Sequence, residues 1–332
     1  MAIDGTFYSP HEFRLALKAE TALGSANTSS MQLLNHDGIY SPVVGGVEEH
    51  AVRSGIGRTE KAADHYINTK GARKQFSFSG IADQSVLPIL LGNVMSVAVG
   101  ASPASYDIPW NYAPPALTHG ATFSDATGTL TFAWISPESG RSKIYPGCVV
   151  TRLTINGRHQ DDGGRLHFDA TVITGYKVSD DQASPSGMTA YPATYYFIYD
   201  MNTTRKVAAS DIVLNEFDLD IENPSFYRGS QGSNGDPEII SRGVPGIRAA
   251  GKLNVVYDGN TAGLFGSHEA GTTTTVEFSN HATWSSASTF GFKGDFGKLE
   301  LPSLSAAEAG MGIDIPVVFK ASTSGDVLQV IA

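Results

Sequence analysis

Eight residues at 246–253, GIRAAGKL, have the spacing of a phosphate-binding loop. Gly246, Gly251 and Lys252 match the two glycines and the lysine of that motif, in which backbone amides cradle phosphates and the lysine reaches them. The motif ends in Leu253, where a serine or threonine must coordinate magnesium. The segment also leads into a predicted strand, so no helix N-terminus directs amides at a phosphate. The pattern therefore predicts a strand and no nucleotide site.

Two further segments carry residue types suited to metal binding or acid–base chemistry. The sequence HQDDGG at 159–164 offers cation ligands, but its aspartates and glycines are typical of a hairpin turn. Asp180 and Asp181 are adjacent, so on a strand they would point to opposite faces, and we expect a solvated loop. The nine histidines lack ligand spacing, and no GxSxG, HExxH or CxxC motif occurs. We therefore predict no enzyme and no catalytic, cofactor-binding or metal site.

Cys148 is the single cysteine, which excludes an intramolecular disulfide framework and a multi-cysteine metal site. It follows Pro146 and Gly147 at the start of a predicted strand, and we expect it to be a small buried apolar residue. Arg152 stands four residues on, which is too far along a strand to activate the thiol.

The run YPATYYFIY at 191–199 offers aromatic rings suited to stacking on a sugar or a base. Tyrosine is also favoured in protein interfaces. We therefore predict an edge strand or a linker that is buried between subunits.

Composition and charge are those of a globular chain that does not grip nucleic acid. The 332 residues suffice for two domains, and 41% hydrophobic with 17% charged residues argues against disorder throughout. Acidic residues outnumber basic ones by 33 to 23, a net charge of -10, whereas binding a phosphate backbone requires clusters of lysine and arginine. The N-terminus has no secretory pattern, and Pro88 and Asn93 interrupt the longest apolar stretch, 86–99. We expect a soluble protein made in the cytoplasm.

Most of the chain is predicted to be β-sheet, because apolar and polar residues alternate with period two. Two short helices are expected, at 84–92 with Asp83 as N-cap and a terminal glycine, and at 260–265. Long segments of weak periodicity are expected to be functional arms or binding elements. These segments are 36–69, 100–123, 179–210 and 225–246. The strongest strand predictions are 13–18, 74–79, 128–134, 148–156, 165–174, 216–222, 252–258, 272–279, 297–301 and 312–321.

Three sequence blocks recur in the same order, which indicates an internal duplication. In each pair a strand pattern repeats, and in the second pair the strand leads into an apolar helix or turn. The paired blocks are 12–19 with 216–223, 74–81 with 252–259, and 166–173 with 313–320. The repeat predicts a mainly β fold of two similar sandwich or barrel domains with one short helix each, at 1–180 and 181–332.

The same segments resemble the two-repeat tail tube proteins of phages with long flexible or contractile tails. The shared features are a glycine-led strand running into an apolar helix that ends in Leu-Gly, a strand that begins near a glycine, a Gly-Ser turn after the central strand, and a closing pair of segments with a final short strand. In this chain they stand at 71–92, 147–155, 229–230, 299–302 with 313–321, and 327–331.

The resemblance implies a major tail tube protein, a structural virion component that self-assembles into stacked rings. Each tail-tube-type domain would supply strands to a shared inner β-barrel, with its helix packed outside. Six domains around the lumen imply a trimeric ring of pseudo-sixfold symmetry, or a hexamer if one repeat lines the channel. Ring closure would pair every exposed strand edge. The resemblance also implies assembly in the host cytoplasm, a place in the virion tail, no membrane association, and contacts with tape-measure, tail terminator and distal tail proteins.

DNA would pass this tube as non-specific cargo during ejection, and the negative net charge suits a surface that does not retain it. Asp218, Asp220 and Glu222 alternate on the polar face of one predicted strand, and Asp314 lies on another. These four are the candidate lumen-facing acids; the alternative is that they are ordinary solvent-facing residues of a sandwich. The loop 36–69 is the candidate inter-ring arm. Its candidate contact residues are His36, Tyr40, Glu48, Glu49, Arg53 and Arg58.

Two other functions stay open from the sequence. A carbohydrate-binding or carbohydrate-cleaving β-sandwich would use tyrosine and tryptophan as stacking surfaces and a pair of carboxylates as catalyst. Another virion structural protein, a connector or a head decoration protein, would cap or sheathe instead of polymerising.

Overall fold

The computed structural model describes strands and helices from both halves of the sequence. The described residues are 12–35, 48–51, 65–68, 74–97, 104–109, 112, 114–123, 127–159, 161–190, 196–199, 204–230, 236–243, 246–271, 274–281, 289–296, 303–307, 310–320 and 326–332. This part of the chain is mainly β, with two short α-helices, α1 (Leu87–Met95) and α2 (Leu264–Ala270). In chain order the strands are β1 (Arg14–Ala19), β2 (Gln32–Leu33), β3 (Glu48–Ala51), β4 (His65–Asn68), β5 (Lys74–Ile81), β6 (Ser105–Pro109), β7 (Leu117–Thr118), β8 (Leu130–Ile135), β9 (Ser142–Arg158), β10 (His167–Thr174), β11 (Ser179–Gln182), β12 (Thr204–Val207), β13 (Ser210–Asp211), β14 (Leu214–Glu222), β15 (Ser225–Arg228), β16 (Ile239–Arg242), β17 (Arg248–Val256), β18 (Thr274–Ser279), β19 (Gly291–Phe296), β20 (Ser303–Ala307), β21 (Gly310–Val318) and β22 (Asp326–Ile331).

Alternation of apolar and polar residues explains why these segments form strands that cover a core. In β14, Phe217, Leu219 and Ile221 are each at most 1% exposed, whereas Asp218 between them is exposed. One side of the strand therefore lies in the core and the other faces outward. The same alternation gives β5 and β10 their buried and more exposed sides.

One antiparallel sheet joins strands from both halves of the sequence, and we call its seven strands the central sheet. Their order is β5-β10-β9-β14-β17-β21-β20. The halves meet at the β9–β14 pair, in register from Arg158 opposite Glu216 to Arg152 opposite Glu222. Among the described strands, the central sheet ends at β5 on one side and at β20 on the other.

The strand β9 is 17 residues long and passes from the central sheet into a second layer. Its first part pairs with β8, which also pairs with β1, and its later part pairs with β10 and β14. The change of partner occurs near Gly147, whose φ of 63° lies in the left-handed region that glycine adopts without strain. The first-half strands β6 and β7 pair with β22 and β16 of the second half, so the two halves are interlocked.

A continuous hydrophobic core covers the apolar side of the central sheet. In the second half, Phe217 contacts Phe278 and Phe292 of the sheet behind it, with ring centroids 4.6 and 5.1 Å apart. In the first half, Phe78 of β5 contacts Phe132 of β8 at 5.4 Å. Such tilted aromatic contacts add to the stabilisation from buried area. The opposite side of the central sheet is the one that meets solvent.

The helix α1 packs against β9, β6 and β14, and nearly all of its residues are buried. The Asp83 carboxylate accepts hydrogen bonds from the backbone N–H groups of Ser85 and Val86 at 2.8 and 3.0 Å, in the turn that precedes α1. The prediction that Asp83 is the N-cap is wrong, because α1 begins at Leu87 and its N-cap is Val86, which makes no side-chain capping bond. The predicted end at Gly92 is wrong. Gly92 lies inside the packed helix, and the chain leaves helical geometry only at Ser96, with a φ of 55°.

Side chains from the second half hold the C-terminal end of α1. Asn223 donates from Nδ2 to the carbonyl oxygen of Val94 at 2.6 Å. The buried Arg242 guanidinium donates to the carbonyl oxygen of Asn93, and burial lowers the pKa of Arg242 to about 10. The bond from Asn223 reaches a carbonyl in the last turn, where helix ends leave carbonyls without the usual intrahelical partner, and the Asn93 carbonyl accepts from Arg242 in addition to the Ser96 N–H at 3.2 Å. The helix of the first half is thus fixed by the second half.

Most strand predictions are confirmed within a few residues, and two further predictions need correction. The helix predicted at 260–265 is displaced, because Thr261 and Asp258 form a turn before α2 begins. The four segments predicted as long arms contain the short strands β3, β4, β6, β7, β11, β12, β15 and β16, which depend on pairing with other strands more than on local periodicity. The strand predicted at 297–301 lies outside the described residues. No helix in the described part of the chain is long and apolar enough to cross a membrane.

Candidate functional site: the polar face of the central sheet

The outward side of the central sheet carries the charged residues of its strands, and we call it the polar face. Residues opposite each other in an antiparallel pair lie on the same face, so the registers of β9, β14, β17 and β21 define its rows. In order along the strands, the rows are Arg158, Glu216, Asn254 and Asp314; Asn156, Asp218, Lys252 and Pro316; Thr154, Asp220, Ala250 and Val318; and Arg152, Glu222 and Arg248. The face continues with Asp169 of β10 and Ser79 of β5. Acidic side chains of β14 thus lie between basic side chains of β9 and β17.

All four candidate lumen-facing acids lie on the polar face. Asp218, Asp220 and Glu222 follow one another along β14, as their alternation predicts, and Asp314 lies two strands away on β21. The structure therefore brings them onto one surface. That this surface lines a lumen stays a prediction.

Arginines of β9 form close ion pairs with two carboxylates of β14, and Nε of Arg152 also lies 3.8 Å from Oε1 of a third, Glu222. Arg152 donates from Nε and Nη2 to the two oxygens of Asp220 at 2.7 and 3.0 Å, a bidentate pair. Arg158 donates from Nε and Nη2 to Oε2 of Glu216 at 2.7 and 2.6 Å. The hydrogen bonds to Asp220 raise the pKa of the Arg152 guanidinium. Both pairs cross the junction between the two halves of the sequence.

A further ion pair joins Lys252 of β17 to Asp314 of β21, with Nζ 3.3 Å from Oδ2. Asp314 also accepts a hydrogen bond from Asn254 Nδ2 at 2.7 Å. Asp218 lies between Asn156 and Lys252 in the register of the strands. Partial burial and then the charge of Glu216 raise the pKa of Asp218, and the positive charges of Lys252 and Arg158 oppose this effect. The polar face therefore combines close ion pairs with a carboxylate whose pKa is raised.

Sequence reasoning missed the basic half of this surface. Asp220 and Arg152 are 68 positions apart in the sequence, so nothing local indicates that they form a pair. One signal was present, because Arg152 and Thr154 stand two residues apart in the predicted strand 148–156, and Arg158 follows just after it in the same alternation. That pattern places them on one face without identifying the strand beside them.

The phosphate-loop-like segment 246–253 forms the start of β17, and the predicted strand is confirmed. A Cβ atom on Gly251 would lie 2.2 Å from the carbonyl oxygen of Asp218. Glycine at this position therefore allows the close approach of β17 to β14.

The segment 159–164 contains the 3₁₀ turn Asp161–Gly164, which confirms the predicted turn between two strands. Asp162 and Gly163 have positive φ, as the Asp and Gly chemistry of such turns allows. In the part of the chain that the structure describes, no group of three or more His, Cys, Asp and Glu side chains could hold a metal ion.

Asp180 and Asp181 lie on the short strand β11 and not in the loop predicted for them, because the segment pairs with β9. Both side chains are exposed. Asp180 lies 3.2 Å from Lys143, and Asp181 lies 2.8 Å from Arg141. Each carboxylate thus has its own basic partner.

The described end of the aromatic run 191–199 lies in the protein core. Phe197 and Tyr199 are fully buried. The prediction of a subunit interface is wrong for these two residues, because their rings pack on Phe290 and Phe278 of the same chain. They cannot stack on a sugar or a base.

Cys148 is fully buried, as predicted. Burial raises the pKa of its thiol well above the ordinary value. The thiol is therefore neutral and unreactive near neutral pH.

A buried carboxyl that sequence reasoning did not single out lies beside Gly147. Glu20 is 1% exposed and accepts hydrogen bonds from the backbone N–H groups of Gly24 and Gly147 at 3.0 and 2.8 Å. The hydroxyls of Thr129 and Thr131 donate two more at 2.5 and 2.9 Å. Burial raises the pKa of Glu20 to about 7, although the four donors oppose this effect. The carboxyl joins the end of β1 and its turn to β8 and β9.

A surface cleft of about 580 Å³ opens next to this carboxyl. Tyr176 lines it, and its ring packs between Gly24 and Gly147, where a Cβ atom would lie 2.1 Å from the ring in each case. The charged groups of the lining are Lys177, Asp180 and Asp236.

The candidate inter-ring arm is described at one short hairpin. Its strands β3 and β4 are antiparallel, with Glu48 opposite Asn68 and Glu49 opposite Ile67. The role of this hairpin between rings stays a prediction. The other candidate contact residues, His36, Tyr40, Arg53 and Arg58, lie outside the described residues.

No family model matches the sequence, and a search of the curated proteins finds no match. The functional proposal therefore depends on the central sheet and its polar face.

Proposed function

We propose that this chain is a structural subunit of a phage tail tube, which assembles into stacked rings and conducts DNA passively, without enzymatic activity. The observation that carries the proposal is the central sheet, in which strands from both halves present one apolar and one polar side. Copies of such a sheet joined edge to edge would form a closed barrel with a polar lumen, and closure would remove the exposed edges. In that setting the chain resides in the virion tail and contacts tape-measure, terminator and distal tail proteins.

The two halves contribute to the central sheet in a similar way, which supports a duplication with domains at 1–180 and 181–332. In the first half β5 pairs with β10 and β10 with β9; in the second half β17 pairs with β21 and β21 with β20. β5 is followed by α1, and β17 is followed by α2. The β9–β14 pair joins one half to the next, and we propose that β20 pairs with the first-half edge, β5, of a second copy.

A trimer is the ring that this sheet favours. Three copies of a seven-stranded sheet supply about 21 strands, and barrels of roughly 16–18 strands already leave an aqueous channel. Because both halves contribute strands to the same sheet, each chain would supply two of six similar units. The geometry therefore favours the pseudo-sixfold trimer over a hexamer in which one repeat lines the channel.

The polar face gives less support to a carbohydrate-binding function. A surface that binds sugars by stacking them on tyrosine and tryptophan needs exposed aromatic rings. The described rows of the polar face carry no aromatic side chain, and four of their carboxylates are held in ion pairs. We therefore keep the tail tube as the proposal.

Assembly of the purified protein tests this function. We expect rings or hollow tubes to appear as the concentration is raised, in negative-stain electron microscopy and sedimentation velocity. Alternate residues of an edge strand direct their N–H groups towards and away from the sheet. Proline at successive positions of β20, Ser305→Pro and Ala306→Pro, therefore removes one N–H of each kind. We expect the variant that loses the N–H group pointing away from the sheet to keep the wild-type unfolding midpoint and stay unassembled.

The other proline variant, which loses the N–H group pointing towards β21, is the matched control, because it perturbs the pairing of β20 with β21 within the chain. Normal assembly of both folded variants would contradict the proposed junction. A wild-type protein that stays monomeric at every concentration, even when seeded with isolated tail tips, would contradict the proposed function. Glycan binding by that monomer would support the carbohydrate alternative.

A further inference from the structure

The basic groups of the polar face are more exposed than the carboxylates that hold them. The side chains of Arg152 and Arg158 are 54% and 62% exposed. Those of Asp220 and Glu216 are 21% and 30% exposed. The guanidinium groups thus form the outer layer of the β9–β14 junction, and a polyanion moving along this face would meet the arginines first.

Both arginines are hydrogen-bonded to carboxylates. Nε and Nη2 of Arg152 contact the two oxygens of Asp220, and Thr154 Oγ1 donates to the same carboxylate at 2.9 Å. Nε and Nη2 of Arg158 both contact Oε2 of Glu216. The planar guanidinium edge with which arginine grips phosphate is therefore occupied in each case.

We propose that Asp220 and Glu216 are specificity-determining residues, which hold Arg152 and Arg158 in ion pairs and so keep the polar face from retaining nucleic acid. The inference rests on the proposed function for the statement that DNA passes this face. Proteins retain nucleic acid when lysine or arginine neutralises phosphates and displaces their counterions. An arginine that a fixed carboxylate already neutralises gains little from a phosphate, and the carboxylate repels that phosphate.

Strengthening of the β9–β14 junction does not by itself account for these pairs. The two strands are already joined over seven opposed residue pairs, and half-exposed ion pairs contribute little to stability. Their effect on what the surface binds is the larger consequence, because removing one carboxylate frees an exposed arginine.

The test is the affinity of the unassembled protein for a short fluorescein-labelled duplex DNA, measured by fluorescence anisotropy at low salt. Asp220→Asn removes the carboxylate that Nε and Nη2 of Arg152 contact and leaves the longer 3.8 Å contact of Nε with Glu222. Glu216→Gln removes the carboxylate that Nε and Nη2 of Arg158 contact. For each variant we expect DNA affinity roughly tenfold higher than wild type, and a dependence of affinity on salt that is steeper by about one phosphate contact.

Two further variants separate the released arginine from the change in net charge. Asp181→Asn is the matched control, since it breaks the 2.8 Å pair with Arg141 on β11, away from the polar face, and changes the charge equally. Adding Arg152→Gln to Asp220→Asn restores the wild-type charge and should restore weak binding. The proposal is wrong if Asp181→Asn binds DNA as tightly as Asp220→Asn, or if the double variant keeps the gain.

Folding and assembly are scored separately from DNA binding. Thermal unfolding shows whether each variant is folded, and Glu216→Gln gives an independent result if Asp220→Asn unfolds. If the wild type never assembles but the Asp220→Asn variant binds DNA more tightly, the proposed function is wrong and the role of the ion pairs stands. A protein that assembles, with unchanged DNA affinity in both variants, overturns the role of the ion pairs alone.

Discussion

Gly147→Ala is expected to lower the free energy of unfolding by about 3–5 kcal/mol, because backbone strain and overpacking act at the same residue. Gly147 has a φ of 63°. An added Cβ atom would lie 2.1 Å from Cδ2 of Tyr176, and the ring has little room to move because Gly24 packs against it as closely. The substitution would also disturb the point at which β9 changes partners and the N–H group that Gly147 donates to Glu20.

Chemical denaturation of wild type and variant measures this loss, and Gly140→Ala is the matched control. Gly140 also has a positive φ, of 77°, but no atom lies within 4 Å of its added Cβ. We expect Gly140→Ala to cost about 1–2 kcal/mol from backbone strain alone. Equal losses at the two positions would contradict the packing of Tyr176 between the two glycines.

Stability is expected to fall by about 3 kcal/mol through Glu20 as the pH rises from about 4.5 to about 7. Burial raises the pKa of Glu20 in the folded protein from an ordinary value of 4.5 to about 7. Below pH 4.5 the carboxyl is protonated in both states, so the folded protein loses nothing. Between the two pKa values the unfolded chain releases a proton that the folded protein keeps, so each rise in pH favours unfolding. Above pH 7 both states are charged and the loss is complete.

Comparing the stability of Glu20→Gln with that of wild type isolates this effect. Other buried acids, such as Asp83, whose pKa burial also raises, contribute equally to both proteins and cancel in the comparison. The neighbouring Cys148, Tyr176 and Tyr227 have raised pKa values and stay neutral in this range. The glutamine amide leaves one backbone N–H unpaired, so at low pH the variant should be about 2 kcal/mol less stable. Its disadvantage should vanish or reverse towards pH 8. Parallel stability curves for the two proteins would show that Glu20 does not change its charge on unfolding in this range.

Local alternation was sufficient to predict six of the seven strands of the central sheet, whereas β20 at Ser303–Ala307 was not predicted. The strands predicted at 216–222 and 165–174 are found as β14 and β10 with small shifts at their ends. Their residues alternate between buried and more exposed positions, and such a pattern is visible within one segment. For the same reason the acids of β14 were assigned correctly to one face.

Contacts between distant segments could not be predicted in this way. The end of α1 depends on Asn223, which is 129 positions from Val94. Arg152 pairs with Asp220 through the register of two strands from different halves. Glu20 follows β1 and resembles an ordinary surface acid in sequence, since its four donors come from three different segments. Each of these features depends on the tertiary fold, which alternation alone does not specify.

The position of Asp218 in assembled particles tests the central claim most directly, namely that the polar face lines the lumen of a tube. The native thiol is buried, so Asp218→Cys can be labelled selectively with a maleimide gold cluster before assembly and imaged by electron microscopy. We predict hollow tubes with gold density inside the lumen. Gold on the outer surface, or failure of the unlabelled variant and the wild type to form any hollow particle, would contradict the account.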